Sequence, residues 1–191
     1  MRRFWSLLTL SRQFFTEVIF SLIRGNGSLL AGNLRRYLFQ TTCIIDTDTY
    51  IRNLKNFYAG EGSAIYHGSY ILNSFGEFHL GKNSHLGAFC FVNVCYGRVE
   101  IGDHVAIGPG TKIIVYSNHY EAGKKVTDTR LTADIRIGNN VFIGANCVLL
   151  PGTTIEDNVI LAAGAVAKGI LDANSIYGGT PCRKLRSGWN D

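Results

Sequence analysis

IGNNVFIGANCVLLPGTTIEDNVILAAGAV, residues 137–166, returns an aliphatic side chain at every sixth position: Ile137, Ile143, Leu149, Ile155 and Leu161. A helix repeats near 3.6 residues and a strand at two, so a strict six over five units describes a chain that turns a corner every six residues. Three places after each aliphatic stand Asn140, Asn146, Gly152, Asn158 and Gly164, residues that enter the left-handed backbone region at low cost. One place further stand Val141, Cys147, Thr153, Val159 and Ala165, side chains small or β-branched enough to share an interior with the next aliphatic. Each hexad therefore reads as a short strand plus a corner, and three hexads close one triangular turn. Pro109-Gly110 and Pro151-Gly152 fit type II turns, with proline second and glycine at the third, left-handed place.

Upstream, the same period starts at Ile65 and Ile71, stretches to nine at Leu80, returns to six at Leu86 and Val92, stretches to nine at Ile101 and returns to six at Ile107 and Ile113. Two insertions of three residues at the same corner account for this, so Ile71, Val92 and Ile113 stack, as do Leu80 and Ile101. Residues 40–64 show no clean period and read as an irregular lead-in over the first open rung. The whole is roughly five rungs at ~4.8 Å each. The step from Ile113 to Ile137 is 24 residues with a polar middle (Glu121, Lys124, Lys125, Asp128, Arg130, Asp134). It reads as an excursion loop over 114–136 that leaves near His119 and rejoins near Ile135, and polar loops of this length in a regular domain tend to carry function. After Val166 the hexads fade, and Ser175 to Arg186 closes the domain.

The formal charge of +5 belongs to one end of the chain. Residues 1–40 hold six arginines (Arg2, Arg3, Arg12, Arg24, Arg35, Arg36) against Glu17, and the rest of the chain sums to zero. Within that arm, Phe4, Leu7, Leu8, Phe14, Phe15, Val18, Ile19 and Leu22 follow the spacing of one helical face. A second short helix is expected over 29–39. The division is thus an amphipathic helical arm over 1–40 and a repeat domain over 41–191. The arm is too interrupted to span a membrane and lacks a secretory cleavage site. Two readings stay open for it: packing within an oligomer, or lying as a basic amphipathic helix on the inner membrane face. Charge placed this way points to an anionic surface rather than to nucleic acid. Five cysteines without a C-x-x-C pair suggest neither disulfides nor zinc; Cys90 and Cys147 fall in the core column, and a cytoplasmic setting follows.

The hexads from about Ile65 to Arg186 resemble the hexapeptide-repeat acyltransferases. "IGNNVFIGANCVLLPGTTIEDNVILAAGAVAKG" followed by "NSIYGGTPCRKL" is similar to the galactoside, xenobiotic and polysaccharide O-acetyltransferase branch, and "YSNHYE" resembles the segment that carries the catalytic histidine there. The resemblance implies an all-β, left-handed parallel β-helix with an excursion loop, a homotrimer with clefts between prisms, and acetyl-CoA as acyl donor with no metal. It also implies His119 as general base, the backbone N–H of Ala145 as oxyanion donor, and Gly144 and Ala163 along the pantetheine arm. A hydroxyl needs a base to take its proton as it attacks a thioester, and imidazole suits that task. Glu121 is a candidate to orient the ring. The phosphates of CoA call for cations, and Lys168, Arg183 and Lys184 are those near the last coils. Lys168-Gly169 stands where the family usually has Thr-Lys, which shifts the lysine by one. Asn93 and Tyr96, in a rung beneath the loop, are the candidate acceptor-binding residues. The acceptor expected is a sugar hydroxyl of a surface-polysaccharide precursor, since a basic arm would hold the enzyme where such precursors lie.

Two other classes fit the coil. A γ-carbonic-anhydrase-like zinc enzyme needs histidines in matching phases on adjacent rungs, but Ala88, Glu100 and Ala106 follow His67, His79 and His85 at 21 residues. A non-catalytic trimeric scaffold leaves His119 and the basic tail without a purpose. His104 occupies a corner place, while His79 and His85 precede aliphatics and point outward.

Overall fold

The structure is a computed structural model that describes residues 42–46 and 48–188. The helices expected over 4–23 and 29–39 lie outside the described residues.

Three parallel sheets form the sides of a prism. Sheet 1 stacks Ile44–Ile45, Ala64–Ile65, His85–Leu86, Ala106–Ile107, Phe142–Ile143, Val159–Leu161 and Ser175–Gly178. Sheet 2 stacks Tyr50–Ile51, Tyr70–Leu72, Phe91–Asn93, Lys112–Ile114, Val148–Leu149 and Val166–Ala167. Sheet 3 stacks Phe57–Ala59, Glu77–Leu80, Arg98–Ile101, Ile135–Ile137, Thr154–Ile155 and Ile170–Leu171. An antiparallel strand, Arg183–Ser187, closes the top of sheet 1.

Register follows the aliphatic column. Ile71 pairs with Val92, Val92 with Ile113, and Leu80 with Ile101, as the 21-residue spacing predicts. The aliphatics point inward and are buried, and the residue before each one, buried Ala64 excepted, is at least partly exposed. The corner column behaves as its composition demands: Asn140, Asn146, Gly152, Asn158 and Gly164 all have positive φ. His104 does too, at φ 58°. Cys43, Cys90 and Cys147 are buried, and burial pushes the Cys90 thiol up to about 11.

Two expectations about the ends of the coil are corrected. The coil starts at Ile44, so residues 44–59 form a full rung rather than an irregular lead-in. Ile45, Ile51 and Phe57 keep the six-residue spacing, but the corners are disguised. Asp48 occupies a left-handed place at φ 55°, and buried Asn73 of the next rung holds the following corner. Its Oδ1 accepts from Asn53 N at 2.9 Å and its Nδ2 donates to Asn53 O at 2.7 Å and Asn56 O at 3.2 Å. At the other end the coil does not fade after Val166. The corner between Ala167 and Leu171 is shortened to Lys168 and Gly169 with its φ of 82°, and stacking continues through Leu171 and Tyr177. Six complete rungs result, with a seventh strand on sheet 1.

Every interruption of the repeat between these ends falls on one edge of the prism, where sheet 2 turns into sheet 3. Both three-residue insertions are there, and so is the long excursion between Ile114 and Ile135. The outer face of sheet 3 is ionic: Arg98 bridges Glu77 at 2.6 Å and Glu100 at 2.8 Å, and Arg136 reaches Glu100 at 3.4 Å. The outer face of sheet 2 carries Tyr50, Tyr70, Phe91, Lys112, Val148 and Val166 in one column, aromatic or aliphatic apart from the exposed Lys112.

Candidate active site

The excursion leaves the coil as an antiparallel pair, with Tyr116–Ser117 against Leu131–Thr132. Its return limb is stitched to the rungs on both sides. Ala133 N donates to Val115 O at 3.1 Å, Gly152 N donates to Ala133 O at 3.2 Å, and Asp134 Oδ1 accepts from Arg98 N at 2.8 Å. Beyond this root the loop is shaped by two polar side chains on either side of His119. Asn118 Nδ2 donates to the carbonyls of Val126 at 2.9 Å and Thr129 at 2.7 Å. Thr129, buried in an otherwise exposed loop, donates through Oγ1 to the His119 and Val126 carbonyls. The backbone at His119 is thereby pinned while its ring stands free, its side chain 44% exposed. Glu121 Oε2 lies 3.9 Å from His119 Nε2, outside hydrogen-bond range, and its other oxygen pairs with Lys124 at 2.7 Å. Asn118 lies within YSNHYE but was given no role there, and no motif or period singled out Thr129; the roles of both depend on the folded loop.

A cleft of about 340 Å³ lies at the root of the excursion. That volume is at the small-ligand end of the usual range. Asn93 and Tyr96, the candidate acceptor residues, both line it, and Tyr116 and Arg130 enter it from the two limbs of the excursion. One wall is a run of three neighbouring rings. Phe75 and Tyr96 have centroids 5.7 Å apart at 22°, and Tyr96 and Tyr116 are 5.8 Å apart at 51°. Arg130 stands over the Tyr96 ring, with Cζ 5.6 Å from its centroid, and Arg52 approaches from the first rung. Sequence reasoning missed Phe75, Tyr116 and both arginines. The signal for Phe75 was present, since it precedes Tyr96 by 21 residues within matching insertions.

The small residues lie elsewhere. Gly144, Ala145 and Ala163 occupy the edge where sheet 1 turns into sheet 2, across the width of sheet 2 from the excursion. Gly144 is buried, and a Cβ there would fall 2.4 Å from Ala163 N, so rung stacking alone demands glycine at that position. The N–H groups of Ala145 and Ala163 donate to no acceptor among the described residues, which leaves this edge two backbone donors. One chain thus places His119 and the donor edge on different vertices.

The three candidate phosphate cations are scattered. Lys168 is exposed in the shortened corner of the last rung, on the same edge as the excursion. Arg183 and Lys184 sit on the closing strand. Lys184 is already engaged: its ammonium pairs with the Asp172 carboxylate and lies 5.6 Å from the Tyr177 ring centroid. That pair holds the Asp172 carboxyl below its ordinary value and Lys184 above its own. Lys168 and Arg183 have no carboxylate partner among the described residues. Among the described residues, no group of three or more His, Cys, Asp or Glu side chains is placed to hold a metal, and no helix is long and apolar enough to cross a membrane.

Residues 134–169 match the family described as bacterial transferase hexapeptide (six repeats). The galactoside O-acetyltransferase of Escherichia coli K12 is 35% identical over 116 residues, covering 57% of this chain and 56% of that protein. The chain spans little more than half the length of that relative. A variant of the Bacillus cereus N-acyltransferase AntD, solved with dTDP and coenzyme A, superposes with TM-score 0.72 at 21% identity, over 82% of this chain and 88% of that one. A hexapeptide-repeat acetyltransferase from Vibrio cholerae, solved with acetyl-CoA, superposes with TM-score 0.60 at 21% identity, over 91% and 85%. Those superpositions identify the coil as the left-handed parallel β-helix.

Proposed function

We propose that this chain is a hexapeptide-repeat acetyltransferase, an acetyl-CoA-dependent O-acetyltransferase with His119 as general base. The observation that carries the reading is the one imidazole of the excursion, its backbone pinned by Thr129 on a loop whose two limbs line a cleft of ligand size. His119 takes the proton of an acceptor hydroxyl as the oxygen attacks the thioester carbonyl; the imidazolium then returns a proton to the departing CoA thiolate. The unpaired N–H of Ala145 supplies the hydrogen bond for the developing oxyanion. Ala163, with Gly144 behind it, lines the path of the pantetheine arm, and Lys168 and Arg183 are the free cations for its phosphates. Lys184 joins them only by giving up Asp172.

Because the base and the donor edge lie on different vertices, a complete site requires a second copy, whose donor edge faces the excursion of the first. A homotrimer closes this arrangement with three equivalent sites. The outer column of sheet 2, aromatic or aliphatic apart from Lys112, is the side between the two half-sites and supports burial there. The repeat domain over 41–191 is read as the catalytic unit. The acceptor proposed is a sugar hydroxyl of a surface-polysaccharide precursor, with the basic arm over 1–40 keeping the enzyme at the cytoplasmic membrane face.

The test is thiol release from acetyl-CoA in the presence of a panel of sugars, with mass measured by light scattering. Wild type is expected to release CoA as a trimer, and His119→Ala to lose about 10²- to 10⁴-fold in kcat with acetyl-CoA binding retained. A wild type that neither binds nor cleaves acetyl-CoA would overturn the transferase reading; an undiminished His119→Ala rate would overturn the role of the histidine.

A further inference from the structure

We infer that the cleft at the excursion root selects an anionic saccharide, holding the sugar ring against the Phe75, Tyr96 and Tyr116 rings and its carboxylate or phosphate between Arg52 and Arg130. The inference rests on the acetyltransferase reading and names the class of its acceptor.

The charge in the cleft is of one sign. Its lining includes two guanidinium groups and no carboxylate. Neither Arg52 nor Arg130 has a carboxylate partner among the described residues, in a chain where Arg98 and Arg136 on the neighbouring sheet are both paired. A guanidinium presents a planar fork that matches carboxylate or phosphate oxygens two at a time. Arg130 is held in the cleft by the Tyr96 ring, with Cζ 5.6 Å from its centroid.

The rings supply the complementary surface. Phe75 is 76% exposed and Tyr96 38% exposed, so the rings stand at the surface of the cleft rather than filling a core. A pyranose packs the apolar C–H side of its ring against such exposed aromatic surface and keeps its hydroxyls outward, where Asn93 offers an amide. A neutral oligosaccharide uses the rings and leaves the two cations unmatched. A free anion uses the cations and leaves the rings bare. Only a sugar bearing a negative group uses both.

Position in the chain ties the cleft to the chemistry. Tyr116 precedes His119 by three residues, and Arg130 follows Thr129, whose hydroxyl bonds the His119 carbonyl. Substrate bound in the cleft therefore contacts both limbs that carry the base.

The experiment measures kcat/KM for matched methyl glycosides: neutral hexoses, the corresponding uronic acids, and hexose phosphates with nucleotide-linked hexoses as the phosphate arm. Wild type is expected to favour one anionic arm over the neutral sugars at least tenfold, the preferred arm identifying carboxylate or phosphate as the recognised group. Arg52→Gln and Arg130→Gln are each expected to lower the anionic-to-neutral ratio about tenfold, whereas Tyr96→Ala raises KM for both kinds of acceptor. The same sugars are titrated by ligand-observed NMR without acetyl-CoA, which reads the cleft whether or not turnover occurs. Equal or tighter binding of neutral sugars, or an anionic preference that survives both arginine substitutions, overturns the inference while leaving acetyl transfer intact. Absence of acetyl-CoA binding with anionic selectivity retained overturns the transferase reading and not the cleft.

Discussion

Replacing Asn158 tests the corner logic on which the coil depends. Asn158 has φ 58° and is the middle of a ladder along one edge: Asn140 Nδ2 donates to Asn158 Oδ1 at 2.7 Å, and Asn158 Nδ2 donates to Asn174 Oδ1 at 3.1 Å. Asn158→Gly keeps the backbone geometry and deletes both side-chain bonds. Each is worth about 0.5–1 kcal/mol at a half-exposed site, so this variant is expected to lose about 1–2 kcal/mol. Asn158→Ala deletes the same bonds and also forces a residue with a Cβ and no local polar group into the left-handed region, for about 1–2 kcal/mol more. Glycine gives back about 0.5–1 kcal/mol of that difference through its greater freedom in the unfolded chain. The glycine variant should still be the more stable of the two, against the usual order of these residues. Guanidinium unfolding followed by circular dichroism at one fixed protein concentration reads the order, and a gap of 1 kcal/mol corresponds to roughly 2–4 °C in Tm. An alanine variant as stable as the glycine variant would refute the reasoning, because the corner would then have no need of a left-handed residue.

Two further outcomes follow from the packing. Gly144→Ala puts a Cβ 2.4 Å from Ala163 N and 2.7 Å from Ala163 Cα, backbone atoms that cannot rotate aside, so a loss of about 1–3 kcal/mol or more is expected in the same unfolding assay. Cys90, 1% exposed, has its thiol pushed from an ordinary 9.0 to about 11 by burial. The unfolded thiol ionises first, so the contribution is complete below pH 9 and lost as pH rises to about 11, for about 2–3 kcal/mol across that window. Stability measured against pH should fall there in wild type and fall less in Cys90→Ala, with Cys43 and Cys147, also raised by burial, supplying the remainder.

The coil was legible because its rules are local. An aliphatic that must point inward and a corner that must be left-handed recur within six residues, so composition at fixed spacing is enough to read them. The same locality explains the misreading of the first rung, whose corner at Asn53 to Asn56 is held by a side chain 20 residues away, that of Asn73. It explains equally why Phe75, Tyr96 and Tyr116 looked unrelated: their adjacency arises from rung-to-rung register, not from the period within a rung.

The sequence by itself determined the prism, its axis of aliphatics and the place where the repeat breaks. Tertiary structure decided that the excursion leaves from the same edge as the two shorter insertions, that the pinned His119 stands on a different vertex from the Ala145 donor, and that Arg52 and Arg130 share a cleft though 78 residues separate them. The physical reason is that a repeat dictates how each residue faces its own axis. Which loops meet depends instead on how many residues each turn contains, a sum over insertions that becomes geometry only when the rungs stack.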